Sequence, residues 1–226
     1  MPGSFLTDTE RDRLRRYPSD VPPEDLAAYF TLSDRDLIQV RRQRGGPNRL
    51  GFAVQLCTLR YLGFVPEPLR PVPPAVIDHL AQQLGTTPEI FAAYGDRPHT
   101  RTDHLQEVTA YLGFRKARPG DLRTLMAWLV ERALEHDRPT LLLQLACEKL
   151  RTDQIVRPGP TRLERLVVAV RQEAQHETFR LLKPLLTGDV KALLDGLLIP
   201  DASRARTPLA WLRRAAVSNS PKAAFP

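Results

Sequence analysis

The sequence predicts an all-α protein made of two packed multi-helix units, roughly ten to twelve mostly short helices with no substantial sheet. Three observations carry that prediction: helix-start punctuation recurs along the chain, glycines stand where apolar-periodic runs end, and hairpin signals are almost absent. Thr7 with Glu10, Ser33 with Asp36 and Thr161 with Glu164 each place an acid three residues after a hydroxyl, the spacing of a capping box. Thr87-Pro88 and Thr207-Pro208 are cap-then-proline starts, where the missing proline N–H costs nothing, and the second predicts a helix from Pro208 to Val217. Gly85, Gly95 and Gly113 stand where a left-handed C-cap residue is expected. The stretch 64–74, with prolines alternating with other residues, disfavours both helix and central strand and reads as a connector.

A second break falls at 152–160, where two prolines and a glycine stop the helix that ends near Leu150. Beyond it, Leu163, Leu166, Val167, Val170, Ala174 and Leu181 recur at helical steps, predicting an amphipathic helix from Arg162 to about Lys183. The expected units are therefore 1–152, a helical unit that includes the helix opened by Asn48-Arg49, and 153–226, a second helical unit with a basic tail. No repeat of fixed period appears, which argues against a regular solenoid.

With 42% hydrophobic and 26% charged residues in 226, the chain can bury a core large enough to offset the entropy of ordering. No uncharged run exceeds ten residues, against the ~20 of a spanning helix, so a transmembrane protein is excluded. The first residues lack the basic, apolar, small-residue order of a secretory signal, which predicts a cytoplasmic protein. Cys57 and Cys147 lie in apolar contexts and read as buried free thiols, neither a disulfide nor metal ligands.

Lys and Arg number 33 against 26 acids, a net charge of +7, and the placement of that charge says more than its size. From Leu37 to Pro66 there is no acid and there are five arginines, and from Ala202 to Pro226 there is again no acid and five basic residues. Charge concentrated in this way marks a localised polyanion site. Catalytic constellations are missing: no glycine-rich phosphate loop, no G-x-S-x-G elbow, and only Gly45-Gly46 adjoin among the glycines. His99 and His104 are five apart, about 140° around a helix, and could not share a metal as i and i+4 histidines do. No catalytic residue, metal site or cofactor is expected.

The richest stretch is 40–63. Arg41, Arg42 and Arg44 approach a Gly-Gly-Pro turn, Asn48 and Arg49 open the next helix, and an apolar run follows. Helix, tight turn and helix with an Asn-Arg start would put donors near phosphates and guanidiniums within reach of base acceptors. Leu50, Phe52, Ala53, Val54, Leu56, Cys57 and Leu59 cover nearly all sides of that helix, so only its ends can take part in recognition.

Asn48-Arg49-Leu50-Gly51-Phe52-Ala53 and Gln55-Leu56-Cys57-Thr58-Leu59-Arg60-Tyr61 resemble the N-terminal region of the Tn-three (gamma-delta) family of large replicative transposases. The resemblance continues in order through Val72-Pro73, Gln83-Leu84-Gly85, Tyr94 with Arg97, Thr100-Arg101 with His104, Gly113-Phe114-Arg115, Leu150-Arg151, Ile155-Val156-Arg157-Pro158 and Leu163-Glu164-Arg165. It implies a helical part that grips the inverted repeats at transposon ends, acting on double-stranded DNA, with another transposase chain as a further partner and a nucleoid-associated location. It also implies that the acidic triad that cuts and joins DNA, with its divalent metal, belongs to a ribonuclease-H-like domain far downstream, so that this stretch binds without catalysis. The alternative is a helical interaction or dimerisation module that modulates transposition, suggested by the helix from 162 to 183.

Charge and resemblance together give the nucleic-acid-binding candidates Arg41, Arg42, Arg44, Asn48, Arg49, Arg97, Thr100, Arg101, His104, Arg115 and Lys116. Arg97, Thr100, Arg101 and His104 lie at a turn and helix start, where phosphate contact competes with a structural salt bridge to Asp96 or Asp103. Arg115 and Lys116, with Arg118, form a short basic turn whose other reading is a solvated helix end. Arg60 reads as a buried structural arginine, and Tyr61, Trp128 and Trp211 as core.

Overall fold

The computed structural model describes residues 5–69, 71–95, 98–200 and 207–212. Its helices are α1 (Asp8–Arg13), α2 (Pro23–Tyr29), α3 (Asp34–Arg42), α4 (Gly46–Leu62), α5 (Pro74–Gln83), α6 (Pro98–Tyr111), α7 (Pro119–Ala133), α8 (Pro139–Thr152), α9 (Pro160–Leu182), α10 (Gly188–Gly196) and α11 (Pro208–Leu212). Short 3-10 turns occupy Pro88–Ala93 and Lys183–Leu185. The strands described are two-residue pieces, β1 (Arg115–Lys116) and β2 (Ile155–Val156), paired in parallel. The all-α class follows.

Local chemistry explains most of the helix starts. Thr7 and Glu10 close a capping box at α1, the Glu10 carboxylate accepting from Thr7 N at 2.7 Å and Thr7 Oγ1 from Glu10 N at 3.2 Å. Ser33 and Asp36 do the same at α3, at 2.9 and 3.3 Å. The third expected box does not form. Helix α9 begins at Pro160, and the buried Glu164 carboxylate instead accepts from Phe5 N and Leu6 N and pairs with Arg11, each at 2.9 Å. A buried carboxylate needs several strong donors, and the N-terminal segment supplies them where one hydroxyl could not. Gly85, Gly95 and Gly113 all take the expected positive φ, and 64–69 and 71–73, between α4 and α5, are irregular as expected of a connector. Thr207 Oγ1 accepts from Ala210 N at the start of α11; residues 213–217 of the helix expected there lie outside those described.

The chain divides into two compact units, 1–174 and 175–226. The first holds two hydrophobic cores. One surrounds α4, whose Leu50, Phe52, Leu56 and Leu59 pack among Phe30, Val40, Leu80 and Val108. The other joins Leu125 and Leu129 of α7, Leu142, Ala146 and Leu150 of α8, and Leu163, Val167 and Val170 of α9. The 152–160 stretch expected as a break therefore lies inside the first unit: Ile155 is buried in the second core and hydrogen-bonded through β2 to β1. Prolines end helices there without ending the packing, because the next apolar stripe returns to the same core.

Close approach inside the first core fixes one glycine. A Cβ on Gly51 would sit 2.1 Å from the Tyr94 ring, which packs flat against the α4 backbone. Gly51→Ala is expected to lower stability by at least about 1 to 3 kcal/mol, read as a shift of the urea midpoint at unchanged m-value.

In 175–226, Leu209 N donates to Leu197 O at 3.1 Å, and Phe179, Leu185, Leu193 and Ile199 stay largely exposed. Cys57 is a free buried thiol, its pKa pushed up by burial to about 12, and Cys147 is free and half-buried. Among the described residues no helix is long and apolar enough to cross a membrane.

Candidate nucleic-acid interface

The turn between α3 and α4 gathers the largest group of candidates. Helix α3 stops at Arg42, Gln43 is extended, and Gly45 takes φ +82°, a conformation that favours glycine and lets α4 begin at once. A glycine N-cap has no side-chain acceptor and the first turn of α4 has no acid, so the Gly46 and Asn48 amides have no side-chain cap and the helix dipole has no local counter-charge; Pro47 between them has no N–H to satisfy. Around this point Arg41, Arg42, Arg44 and Arg49 are exposed, and none forms an ion pair among the described residues. Their hydrogen bonds are local: Arg49 Nε donates to Gln43 O at 3.0 Å and Arg42 to Gln39 Oε1 at 3.1 Å. Asn48 Nδ2 donates to Arg44 O at 2.9 Å, which leaves its Oδ1 and second amide hydrogen to other partners.

A buried carboxylate holds this turn in place. Asp36, 2% exposed, accepts from Ser33 N, from Arg60 through both oxygens and from Tyr111 Oη, each at 2.9 Å. One side chain thereby links α3, α4 and α6. Burial raises the Asp36 pKa, but the Ser33 amide and the Arg60 guanidinium outweigh it and hold the carboxyl below its ordinary range. Arg60 is the structural arginine expected, half-buried, and also reaches Thr31 O at 3.3 Å. At the other end of α3, Gln43 Nε2 donates to Glu107 of α6 at 2.9 Å. Neither Asp36 nor Gln43 was legible as a site residue, since Asp36 looked like a cap alone and Gln43 had no pattern.

The α6 candidates fare differently. Arg97 and Asp96 lie outside the described residues. Thr100 and Arg101 are half-buried; the Arg101 stem lies against Gly95, and its carbonyl accepts from Gln55 Nε2 at 3.1 Å. Of the alternative salt bridges to Asp96 or Asp103, none to Asp103 occurs among the described residues, and Asp96 lies outside them. His104 is corrected from surface candidate to core residue: it is 5% exposed, bonded through Nδ1 to Tyr94 Oη at 3.0 Å and edge-on to Phe52. Its position on α6 opposite α4 puts the ring among apolar neighbours, where a polar side chain persists if bonded.

Burial depresses the His104 pKa, opposed by Glu107 and Asp103. A depressed histidine pKa means the unfolded chain binds the proton more readily, so stability is full above about pH 6.5 and falls as pH drops below it. His104→Gln is expected to flatten that part of a stability-against-pH curve from urea titrations; an unchanged slope would remove His104 as its source.

At β1, Arg115 is committed to Asp121 through two bonds of 2.6 and 2.8 Å, while Lys116 is exposed and forms no ion pair among the described residues. Asp121 is held far below its usual range, first by Arg115 and then by the Arg118 amide. Tyr61 is half-buried and donates to Asp25 at 3.0 Å, Trp128 is half-buried under Arg132, and the Trp211 side chain lies outside the description. Among the described residues no group of three His, Cys, Asp or Glu could hold a metal ion.

Comparison with known proteins places this geometry in a family. Residues 5–170 match the family model described as Domain of unknown function (DUF4158). The chain is 38% identical over 211 residues to the transposase for transposon Tn501 of Pseudomonas aeruginosa, covering 93% of this chain and 21% of that protein. It is 34% identical over 221 residues to the transposase for transposon Tn1546 of Enterococcus faecium, at 96% and 22% coverage. It is 31% identical over 208 residues to the transposase for transposon gamma-delta of Escherichia coli (strain K12), at 90% and 21%. The chain spans about a fifth of the length of these curated relatives. The α3 to α4 turn, the Asp36 knot and the paired strands all lie inside the matched span, and the chain belongs to the DUF4158 family, homologous to transposases of the Tn-three (gamma-delta) type.

Proposed function

We propose that this chain binds duplex DNA at the terminal inverted repeats of a transposable element, as the recognition part of a transposase and without strand cleavage of its own. The observation that carries the reading is the α3 to α4 turn, where Arg41, Arg42, Arg44 and Arg49 stand exposed, with no carboxylate partner among the described residues, around a start of α4 that has no side-chain cap. Pairing these guanidiniums with phosphates releases the counterions condensed on a duplex, and the Gly46 and Asn48 amides at the start of α4, which have no side-chain cap, add to the attraction. Homology to transposases supports the class of partner. Thr100, Arg101 and Lys116 extend the proposed contact set, and such a role would place the protein with the nucleoid.

Fluorescence anisotropy with a labelled duplex of the element's own terminal repeat, beside a scrambled duplex, tests the reading across a salt series. Tighter binding to the repeat at physiological salt supports it, and equal, steeply salt-sensitive binding to both removes the sequence recognition. A nuclease assay with magnesium or manganese checks the absence of cleavage. A second reading, self-association through the helices of 175–226, draws on exposed Phe179, Leu185, Leu193 and Ile199, an apolar surface unusual on a monomer. Light scattering that stays monomeric at high concentration would dismiss it.

A further inference from the structure

We infer that the chain carries a second polyanion-binding surface, assembled by the pairing of β1 with β2 and formed by Lys116, Arg118, Arg123, Arg162 and Arg165. The inference rests on the duplex-binding role proposed above and adds a separate contact to it. Arg115 lies opposite Ile155 and Lys116 opposite Val156 in a parallel register, so the chain leaves both strands at the same end of the ribbon. Two residues then lead into α7 and three into α9. The starts of α7 and α9, some forty residues apart in sequence, are thus brought to one place.

That place is strongly basic. Segments 113–124 and 156–168 together hold seven Lys and Arg against two acids, Asp121 and Glu164. Both acids are spent internally. Asp121 is held by Arg115 and by Arg118 N at 2.8 Å, and buried Glu164 by Arg11 and the Phe5 and Leu6 amides. Arg157 turns inward, bonded to Leu14 O with its guanidinium 3.9 Å from the centre of the Phe64 ring. The five remaining cations are exposed and none forms an ion pair among the described residues.

The surroundings favour a nucleic-acid backbone over a protein partner. Between the cations stand Gly120, Gly159 and Thr161, all exposed, and a Cβ on Gly159 would meet nothing within 4 Å. The core of a protein interface is apolar, and no large hydrophobic of 113–124 or 156–168 is exposed among the described residues, whereas a row of phosphates needs only cations and open approach. The two basic surfaces belong to different cores: the α3 to α4 turn to the first, the α7 and α9 starts to the second.

The test is a salt series on a duplex of about thirty base pairs, with Lys116→Ala/Arg118→Ala, Arg162→Ala/Arg165→Ala and, separately, Arg49→Ala, each checked for wild-type melting. Each double variant is expected to lower the slope of log K against log salt by about two units and the affinity at 100 mM salt on the order of fiftyfold. Unchanged slopes in both double variants, with a reduced slope in Arg49→Ala, overturn the inference and leave the first site standing. Loss in only one pair also overturns it, since the surface is then not shared between the two helices. If wild type fails to bind any duplex but binds an acidic peptide through these residues, the surface belongs to a protein partner and both proposals fall.

Discussion

Asp36→Ala is expected to destabilise the first unit by about 3 to 5 kcal/mol, the cost of removing one partner from a buried, hydrogen-bonded ion pair. The carboxylate is the common acceptor for Arg60, Tyr111 and the Ser33 amide, so its loss leaves three donors without their partner on the inner side of α3. Asp36→Asn should cost less, because an amide oxygen can still accept from Tyr111 but cannot take both contacts from Arg60 as a charge-assisted pair. The folded carboxyl titrates below its ordinary range, so its contribution is present above about pH 4 and is lost as pH falls through the lower folded value. Urea denaturation of both variants at pH 7 and pH 3 checks the magnitude and the sign. Equal stability of Asp36→Ala and wild type at pH 7 would show that Arg60 and Tyr111 find other partners. Function is linked to this knot through α3, whose last turn carries Arg41 and Arg42: a variant that folds but loosens α3 should bind DNA more weakly without any lost contact.

The largest effect on binding is expected from replacing Arg41, Arg42, Arg44 and Arg49 together by alanine. If each neutralises one phosphate, the salt slope falls by about 3.6 units and affinity at 100 mM salt drops by on the order of a thousandfold or more. Arg49 alone separates two roles. Contact with a base edge would cost about 1 to 3 kcal/mol on the specific duplex and little on the scrambled one, whereas a phosphate contact would reduce the slope on both by about one unit. Its Nε bond to Gln43 O already orients the guanidinium, so less side-chain entropy is lost on binding. Arg115→Ala should matter far less, because Asp121 already compensates that charge. Affinities of the fourfold variant equal to wild type at every salt would take the α3 to α4 turn out of the interface.

Several features are readable in the sequence because they depend on neighbours in the chain. The capping boxes at Thr7 and Ser33, the positive φ of Gly85, Gly95 and Gly113, and the proline connector after α4 are set by groups a few residues apart. The arginines of the α3 to α4 turn are equally visible, since an acid-free window offers them no carboxylate nearby in the chain, although packing still brings Asp36 to Arg60 of the same window. His104 and Glu164 were misread for the opposite reason. Each had a sound local reading, as a surface contact and as a cap, but each sits on the buried side of its helix, where the partners are Tyr94 and Arg11. Burial decided, because an unbonded polar group away from water costs more than any local bond returns.

The sequence by itself determined that this protein is helical, where most of its helices start and stop, and that one basic turn precedes an apolar helix. Those outcomes rest on capping, proline and glycine geometry, and charge counts over short windows. Tertiary structure decided that 152–160 lies within the first unit, that one carboxylate joins α3, α4 and α6, and that two modest basic stretches meet beside the paired strands. No window of sequence shows that last feature, because each stretch contains an acid, and only packing revealed that Asp121 and Glu164 are turned to internal partners while the cations are left to solvent.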